Sequence, residues 1–333
     1  MTPRHFVLVS LGSIGQRHLK NLRYLYPDAQ ITVVRRANKA PHADERLATN
    51  IVSSVDEAIN IAPPTACFIS SPSPFHLSDA RKFLTINCPV FIEKPLSHTS
   101  SEVQEFIEIA EEAGTICMVA YVLRFLPTMR RIKKIIEQKE YGNIIHASVS
   151  VGQYLPDWRP DQDYRQTVSA QKSLGGGALL ELSHEIDYAL HLFGLPEKVH
   201  SHIQSTGTLD IDVEDQVDSL FYYKSGMVVN LHMDFLQKVP SRYCHIIMEK
   251  GFIKWDFITG ELTTGSKDQS TIVEEVSLVS NDTYLSEIKY FLSCIDNQDI
   301  PCVGLVDGLN VLQVIDVMHQ SSLTKNTVNF TTN

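Results

Sequence analysis

The sequence has little of several features that mark particular classes of protein. Its six cysteines lie far apart and none forms a Cys-x-x-Cys pair, so neither a disulfide framework nor a zinc site is indicated. No apolar run approaches the roughly 20 residues that a membrane-crossing helix needs. Basic residues are outnumbered 29 to 39 by acidic ones, and this net charge of −10 argues against general nucleic-acid binding. The N-terminus enters a strand-like run without the apolar core of a signal peptide, so we expect a soluble, cytoplasmic protein.

The 333 residues are about twice the length of a typical domain, and the hydrophobic pattern changes near residue 120. Before that point, short apolar runs alternate with helical patterns, which predicts βαβ units and a parallel sheet covered on both faces. Beyond it, strand-like runs are separated by tight turns at 224–226 and 249–251, which predicts antiparallel pairing. We therefore expect an α/β domain over 1–120 and an α+β domain over 121–333 with a largely antiparallel, open sheet.

The loop after the first predicted strand is rich in small residues. It reads Ser-Leu-Gly-Ser-Ile-Gly over 10–15 and matches Gly-x-Gly-x-x-Gly, except that serine stands at the first glycine position. In that motif the second glycine lets the backbone approach a pyrophosphate, and the third lets the helix pack closely on the strand. Free N–H groups at the helix start favour the phosphate charge. The loop therefore predicts a doubly wound Rossmann sheet that binds a dinucleotide; a plain strand-to-helix turn is the alternative. The predicted contacts are Ser10, Gly12, Ser13, Ile14 and Gly15.

The end of the second predicted strand indicates which dinucleotide binds. The strand over 31–34 is followed by Arg35 and Arg36, and no Asp or Glu occurs before Asp44. An acidic residue there would bind the ribose 2′-hydroxyl of NAD(H), whereas two guanidinium groups can hold a 2′-phosphate and stack on adenine. We therefore expect NADP(H) to be favoured over NAD(H). The alternative is a pair of solvated arginines at a strand end.

Two further segments follow predicted strands at the same edge of the sheet, where ligands of open parallel sheets bind. One carries Ser71, Pro72 and His76, and the other is a Glu-Lys-Pro turn that begins with Glu93 and Lys94. Both segments are predicted to contact the dinucleotide. Lys94 would face its nicotinamide end, where a partly desolvated lysine can polarise a carbonyl or shuttle a proton. Taken alone, a Glu-Lys-Pro sequence is more often a surface turn.

Five short motifs follow one another in order between residues 5 and 195. They are Gly12-x-x-Gly15, Ser71-Pro72 with His76, Glu93-Lys94-Pro95, Arg124-Phe125-x-Pro127, and Gly175-Gly176-Gly177 with His184 and Asp187. Together they resemble the glucose–fructose oxidoreductase/inositol dehydrogenase (Gfo/Idh/MocA) family. The resemblance implies a nicotinamide-dependent enzyme that acts on a sugar or cyclitol. It also implies a homodimer or homotetramer built through the open C-terminal sheet.

The resemblance further assigns the catalytic residues. Lys94 matches the Glu-Lys-Pro lysine of the family, between nicotinamide and substrate, and His184 matches its catalytic histidine, with Asp187 three residues later. Many members carry an aspartate four residues before this histidine, where the present sequence has Leu180. Glu181 lies on the same helical face as His184, and either it replaces that aspartate or Lys94 and His184 alone form the acid–base unit. The spacing of Glu181, His184 and Asp187 would also suit a metal ion, but acid–base pairing is the commoner use here, so no metal is expected.

An irregular stretch over 153–165 is rich in Trp, Tyr, Arg and Asp and precedes the triple glycine. An exposed loop of this composition suits a ligand that has both rings and charge. It resembles the substrate loop of family members associated with sialic-acid-like surface sugars, so an acidic sugar or nucleotide sugar is expected. The alternative is a loop that is simply packed over the domain joint. The predicted substrate contacts are Tyr121, Arg124, Trp158, Arg159, Tyr164, Arg165, Glu181 and Asp187.

The functional hypothesis from the sequence is reversible hydride transfer between a nicotinamide and a sugar carbinol carbon. His184 would act as the general base, and Lys94 would stabilise the negative charge that develops on the same oxygen. Two other interpretations remain open. A retained NAD could oxidise the sugar only transiently, which allows epimerisation or glycosidic elimination. The chain could also be a non-catalytic dinucleotide-sensing regulator, because a fold does not dictate a function.

Overall fold

A computed structural model describes residues 4–36, 42–276 and 278–331. In chain order the strands are β1 His5–Val9, β2 Gln30–Val34, β3 Asn50–Val52, β4 Ala66–Ile69, β5 Val90–Glu93, β6 Cys117–Ala120, β7 Ile144–Gly152, β8 Lys198–Gln204, β9 Gln216–Tyr222, β10 Val228–Asp234, β11 Ser241–Met248, β12 Gly251–Asp256, β13 Glu261–Ser266, β14 Gln269–Glu275 and β15 Val328–Asn329. The α-helices are α1 Ser13–Leu25, α2 Val55–Ile61, α3 His76–Leu84, α4 Val103–Glu112, α5 Pro127–Glu137, α6 Ala178–Glu181, α7 His184–Phe193, α8 Asn281–Asn297 and α9 Leu305–Thr324. Within the described ranges, no helix has the length and apolar content that crossing a bilayer requires.

The chain forms two compact units and passes between them more than once. The first unit comprises the described residues of Met1–Ala120 and Tyr284–Leu309, and the second those of Tyr121–Thr283 and Asn310–Asn333. The predicted second domain ran unbroken from 121 to 333, whereas residues 284–309 group with the first unit. Packing explains the difference, because the Phe291 ring of α8 lies 5.9 Å from Phe68 and 5.4 Å from Phe91 in the first sheet.

The sheet of the first unit is parallel throughout, in the order β3-β2-β1-β4-β5-β6. Every residue of β1, β4 and β5 is buried, as expected for parallel strands covered on both faces. The strand order reverses between β1 and β4, and doubly wound sheets bind their ligands outside the carboxyl ends of the strands at that reversal. The predicted Rossmann architecture is confirmed. The strand β3 was not predicted, because it has three residues and none of them is buried.

The second unit holds a larger sheet, in the order β14-β13-β12-β11-β7-β10-β9-β8-β15. All of its pairings are antiparallel except that between β7 and β10, so the prediction of a largely antiparallel sheet is confirmed. One face carries the buried side chains of Val149, Val229 and Ile246. The opposite face carries polar side chains such as Asn230 and Lys254, which are exposed. The strands β13 and β14 were not predicted, because residues 261–275 show no long apolar alternation.

His232 lies on the polar face of this sheet between two carboxylates. Its Nδ1 atom is 2.7 Å from an Asp218 oxygen, and its Nε2 atom is 2.8 Å from an Asp234 oxygen. The hydrogen bond to Asp234, supported by that to Asp218, raises the pKa of His232 to about 9 from an ordinary value of 6.5. The folded state therefore retains this proton at pH values where the unfolded chain has lost it.

We expect the His232→Asn substitution to lower the free energy of unfolding by an amount that depends on pH. The stabilisation from protonated His232 is fully present below pH 6.5 and is lost as the pH rises through about 9. Urea unfolding of wild type and variant should therefore show a larger stability difference at about pH 6 than at about pH 10. A stability difference that stays constant between these pH values would contradict the stabilisation by protonated His232 and its two carboxylate partners.

Candidate active site

The loop between β1 and α1 makes a tight left-handed turn at Ser10. Ser10 has a φ of 76°, and its N–H donates to the Val34 carbonyl at 3.0 Å. The Ser70 hydroxyl, just after β4, donates to the carbonyls of Val9 and Ser10 at 2.9 and 3.1 Å. The serine at the first glycine position thus adopts the backbone that the motif requires, and Ser70 fixes the loop at the reversal of strand order. A left-handed non-glycine residue costs about 1–2 kcal/mol, which these bonds offset.

The two glycines of this loop have different surroundings. A Cβ at Gly15 would lie 2.5 Å from the Ser10 carbonyl oxygen and 2.8 Å from the Ser70 hydroxyl, whereas a Cβ at Gly12 would meet nothing within 4 Å. Gly12 precedes α1, and no side chain caps that helix start. The first N–H groups of the helix therefore face open space at the positive end of its dipole. The residues present fit a dinucleotide pyrophosphate, and they are the five predicted loop residues.

We expect alanine substitutions to separate these two roles. Gly12→Ala should change the free energy of unfolding by less than about 1 kcal/mol, because the space beside it is open. The same variant should weaken dinucleotide binding about tenfold or more, since its methyl group enters the space proposed for the pyrophosphate. Gly15→Ala, the matched control, should destabilise the fold by about 1–3 kcal/mol because its methyl group meets backbone. Unfolding and dinucleotide titrations measure both; unchanged affinity in Gly12→Ala would remove this loop from the site.

The two arginines after β2 each have a carboxylate partner. Arg35 pairs with Glu45, and Arg36 pairs with Asp79, which is buried on α3. Asp79 also accepts a hydrogen bond from the Ser71 hydroxyl at 2.8 Å. The strand end is therefore less positive than the sequence suggests. Asp79 was not anticipated because it is 43 residues from Arg36 in sequence.

His76 joins the two other segments at this edge of the sheet. Its ring is 1% exposed; Nδ1 lies 2.9 Å from the Pro95 carbonyl oxygen and Nε2 lies 2.7 Å from that of Ser71. Burial lowers the pKa of His76, which favours the neutral ring. Both ring nitrogens face backbone carbonyls, and a contact between His76 and the dinucleotide stays a prediction. Its position supports a different role, that of holding the Ser71-Pro72 turn beside the Glu-Lys-Pro turn.

Glu93 is the last residue of β5. It forms a hydrogen bond with a histidine that was not predicted from the sequence. His18 on α1 is fully buried, and its Nε2 donates to Glu93 Oε1 at 2.6 Å. The second carboxylate oxygen of Glu93 accepts the Lys94 N–H at 3.2 Å. Glu93 is 8% exposed, so this carboxylate holds the turn in place, and its contact with the dinucleotide stays a prediction. The half-buried Lys94 follows it at the carboxyl end of β5. A signal for His18 existed, because it shares the buried face of α1 with Gly15 and Leu22.

In the second unit, His184 is the first residue of α7. The sequence predicted Glu181 and His184 on one helical face, but they belong to two helices, since α6 ends at Glu181 and α7 begins at His184. The half-buried His184 ring meets the Tyr121 ring edge-on at a centroid distance of 5.8 Å. Tyr121 is fully buried and packs against His184, and its contact with substrate stays a prediction.

Two residues that follow His184 on α7 form buried ion pairs. Asp187 is fully buried and binds Arg124, whose Nη2 lies 2.6 Å from Oδ1 and whose Nε lies 3.0 Å from Oδ2. Glu185 is also fully buried and binds Arg242 Nε at 2.6 Å. A buried charge requires a partner, and Arg124 and Asp187 supply it to each other. Their substrate roles stay a prediction. The Glu185–Arg242 pair had no signal in the sequence, because its members are 57 residues apart.

The triple glycine makes room for close backbone contacts beside α6. A Cβ at Gly176 would lie 2.4 Å from the Val168 carbonyl oxygen, and one at Gly177, with a φ of 108°, would lie 2.3 Å from the Glu214 carboxylate. Glu214 Oε1 accepts the Leu179 N–H at 3.0 Å, and burial raises the pKa of Glu214. Glu214 is thus a buried carboxyl beside α6 that the sequence analysis missed.

The irregular stretch over 153–165, called the aromatic loop below, carries four of the predicted substrate residues. These four residues and Glu181 all lie in the second unit. The Ser169 hydroxyl, which follows that loop, donates to Glu181 Oε2 at 2.8 Å and joins the segment before the triple glycine to α6. Trp158 is half-buried and meets Phe235 edge-on at 5.3 Å. Arg165 is exposed and pairs with two carboxylates that raise its pKa, whereas Arg159 and Tyr164 are half-buried. Among the described residues, no group of three or more His, Cys, Asp or Glu could hold a metal ion.

Most of the chain matches known protein families and relatives. Residues 4–121 match the family model described as an oxidoreductase family with an NAD-binding Rossmann fold, and residues 129–254 match that of the GFO/IDH/MocA C-terminal domain. D-xylose 1-dehydrogenase (NADP(+)) 2 of Haloferax volcanii is 23% identical over 78% of this chain and 78% of that protein. The 2,7-anhydro-N-acetylneuraminate hydratase of Escherichia coli is 22% identical over 84% of this chain and 75% of that protein.

The fold is also similar to solved structures. Levoglucosan dehydrogenase in complex with NADH and levoglucosan superposes with a TM-score of 0.87, over 99% of this chain and 100% of that chain, at 19% identity. At this identity the likeness shows the fold alone. The two family matches carry the assignment. The chain belongs to the Gfo/Idh/MocA family of oxidoreductases, as its five motifs predicted.

Proposed function

We propose that this protein is an NAD(P)-dependent oxidoreductase that transfers a hydride to or from a carbinol or carbonyl carbon of a sugar. The observation that carries the proposal lies within the first unit: an open cradle at Gly12 and a lysine, Lys94, both at the carboxyl edge of one doubly wound sheet. The names of the relatives support a sugar substrate, since they include a xylose dehydrogenase and a levoglucosan dehydrogenase.

The dinucleotide would be held by the backbone at the start of α1 and by the turn at Ser71 and Pro72. When bound, a nicotinamide dinucleotide supplies the group that accepts or donates the hydride. Gly12, Ser13 and Ile14 would offer N–H groups to the pyrophosphate. His76 and Glu93 would act indirectly, by holding the turns that contact the dinucleotide.

Lys94 and His184 would handle the proton and the charge at the reacting oxygen. We assign His184 as the base that removes the proton of the sugar hydroxyl through a ring nitrogen. The Lys94 ammonium group would donate a hydrogen bond to the same oxygen and stabilise its developing negative charge. Glu185 and Asp187, both fully buried and paired with arginines, would fix the helix that carries His184.

The finer substrate class is proposed from the aromatic loop. Trp158, Arg159, Tyr164 and Arg165 suit a sugar ring that bears a charged group, and we retain an acidic sugar or nucleotide sugar as the proposal. The hydratase relative, named for an anhydro-N-acetylneuraminate, is compatible with an acidic sugar. We also propose NADP(H) as the preferred dinucleotide, with Arg36 binding the 2′-phosphate by exchanging its bond to Asp79. The polar face of the second sheet is the proposed surface for a homodimer or homotetramer.

The deciding experiment combines binding with turnover. Thermal-shift titrations with NADP(H) and NAD(H) should show stabilisation by both, and greater stabilisation by NADP(H). A screen of free, acidic and nucleotide-linked sugars should then identify one that changes nicotinamide absorbance at 340 nm, about the wavelength of the reduced ring, in proportion to enzyme. Absence of binding by either dinucleotide would overturn the function, and stronger stabilisation by NAD(H) would overturn the role of Arg36.

A second candidate reaction uses the same site without net redox change. The Escherichia coli relative is named a hydratase, which favours transient oxidation of a sugar by a retained dinucleotide. This reaction predicts protein that purifies with dinucleotide bound and converts a sugar with no change in nicotinamide absorbance. Stoichiometric reduction of added NAD(P) would exclude it.

A further inference from the structure

One tyrosine of the first unit connects the two segments that carry Cys294 and Cys302. Cys294 lies in the last turn of α8, and Cys302 lies in the connection to α9. Tyr290 is four residues before Cys294, so both side chains lie on the same face of α8. The Tyr290 hydroxyl accepts the Cys302 N–H at 2.9 Å, and the Cys294 carbonyl accepts the Asp299 N–H at 2.9 Å. The connection therefore folds back on the last turn of α8 and brings Cys302 towards Cys294.

Exposure distinguishes Cys302 from the other cysteines. Cys302 is the exposed cysteine of the chain, whereas Cys294 is buried, at 1% exposure. A thiol that attacks a disulfide in solution needs access to solvent, which Cys302 has. The other five cysteines are buried, and burial raises the pKa of each of their thiols. They are Cys67, Cys88, Cys117, Cys244 and Cys294.

We propose that Cys302 and Cys294 form a redox-active dithiol that is oxidised to an intramolecular disulfide by a low-molecular-weight disulfide such as oxidised glutathione. Cys302 is the attacking thiol, because it is exposed. Cys294 is the resolving thiol, because it is close and shielded from the oxidant. The site is separate from the proposed dehydrogenase reaction and does not depend on it.

The reaction balances without a metal or a further oxidant. The Cys302 thiolate attacks one sulfur of oxidised glutathione, which forms a mixed disulfide and releases one glutathione thiolate. The Cys294 thiolate then attacks the Cys302 sulfur, which forms the protein disulfide and releases the second glutathione. The two protons lost by the cysteines are taken up by the two glutathione thiolates. Two electrons pass from the protein dithiol to the oxidised glutathione.

The segment between α8 and α9, which the disulfide would close into a loop, is hydrogen-bonded to the first sheet. The Val303 carbonyl, next to Cys302, accepts the N–H of Val119 in β6 at 3.1 Å. A Cβ at Gly308, one turn into α9, would lie 2.8 Å from Leu96, just beyond the Glu-Lys-Pro turn. A covalent bond in this connection would thus constrain backbone that packs on β6 and Leu96.

Intact-mass measurement after incubation with oxidised glutathione tests the proposal. The wild-type protein should lose two titratable thiols, lose the mass of two hydrogens and carry no glutathione, and dithiothreitol should reverse the change. The C294S variant should accumulate one bound glutathione at Cys302, because the resolving thiol is gone. The C302S variant should not react. The matched control C117S, which removes a buried thiol, should behave as wild type.

Other results would overturn the dithiol. Wild-type protein that keeps one bound glutathione would show that Cys294 does not resolve the mixed disulfide. Wild-type protein that does not react would show that Cys302 is not a nucleophile. Peptide mapping that finds the disulfide between any other two cysteines would assign the chemistry elsewhere.

Discussion

Replacing Lys94 by alanine is expected to lower kcat by about 10²- to 10⁴-fold, the range that one positioned acid–base group supplies. The ammonium group is proposed to stabilise charge that develops on the reacting oxygen, so its loss should affect turnover more than binding. The Glu93–Lys94 hydrogen bond uses the backbone N–H and survives the substitution. The dissociation constant for the dinucleotide should therefore stay close to that of wild type. Steady-state rates and dinucleotide titrations measure the two effects separately.

A surface lysine provides the control for this substitution. Lys82 on α3 pairs with Asp56 at 2.6 Å, and the pair is exposed. The Lys82→Ala variant should retain wild-type kcat, because an exposed ion pair contributes little. Wild-type turnover in Lys94→Ala would remove Lys94 from the mechanism even if the dinucleotide binds. Loss of dinucleotide binding in that variant would instead assign Lys94 to cofactor affinity.

The His184→Asn substitution is expected to lower kcat by a similar factor of about 10²–10⁴, because asparagine cannot take up the hydroxyl proton. The dinucleotide should still bind, since His184 belongs to the second unit and the glycine loop to the first. Steady-state rates and dinucleotide titrations of wild type and variant provide the readout.

His191 lies on the same helix and serves as the matched control. It is half-buried, and its backbone carbonyl accepts the Lys133 ammonium at 2.5 Å, a bond that does not use the imidazole. The His191→Asn variant should keep the kcat of wild type. If both histidine variants lose activity equally, helix stability and not proton transfer would explain the loss.

The sequence was sufficient to predict the elements whose periodicity is strong. The alternation before residue 120 identified the parallel sheet, and the position of the glycine loop after β1 indicated the edge at which we propose that the dinucleotide binds. Even the serine at position 10 was compatible with the motif, and the structure gives it a φ of 76°. These features are local, so neighbouring residues determine them.

The parts that could not be predicted depend on contacts between distant residues. Arg124 and Asp187 were both expected to bind substrate because each is polar and lies in a family motif. They are 63 residues apart, and only the tertiary structure shows that each is the partner of the other. Similarly, the sequence near Arg36 contains no adjacent acid, although Asp79 lies beside it. The protein partners of charged residues in motifs therefore could not be predicted from the sequence alone.

The grouping of Tyr284–Leu309 with the N-terminal part of the chain has a consequence for biosynthesis. Phe291 packs on Phe68 and Phe91, so the ribosome must deliver most of the polypeptide before that aromatic cluster can be completed. A nascent chain that stalls after residue 120 would keep these two phenylalanines without their neighbour and would be open to chaperone capture. Severing the gene at this position would therefore yield an aggregation-prone fragment, whereas a permuted gene that joins residue 309 to the N-terminus through a linker would supply the missing helix.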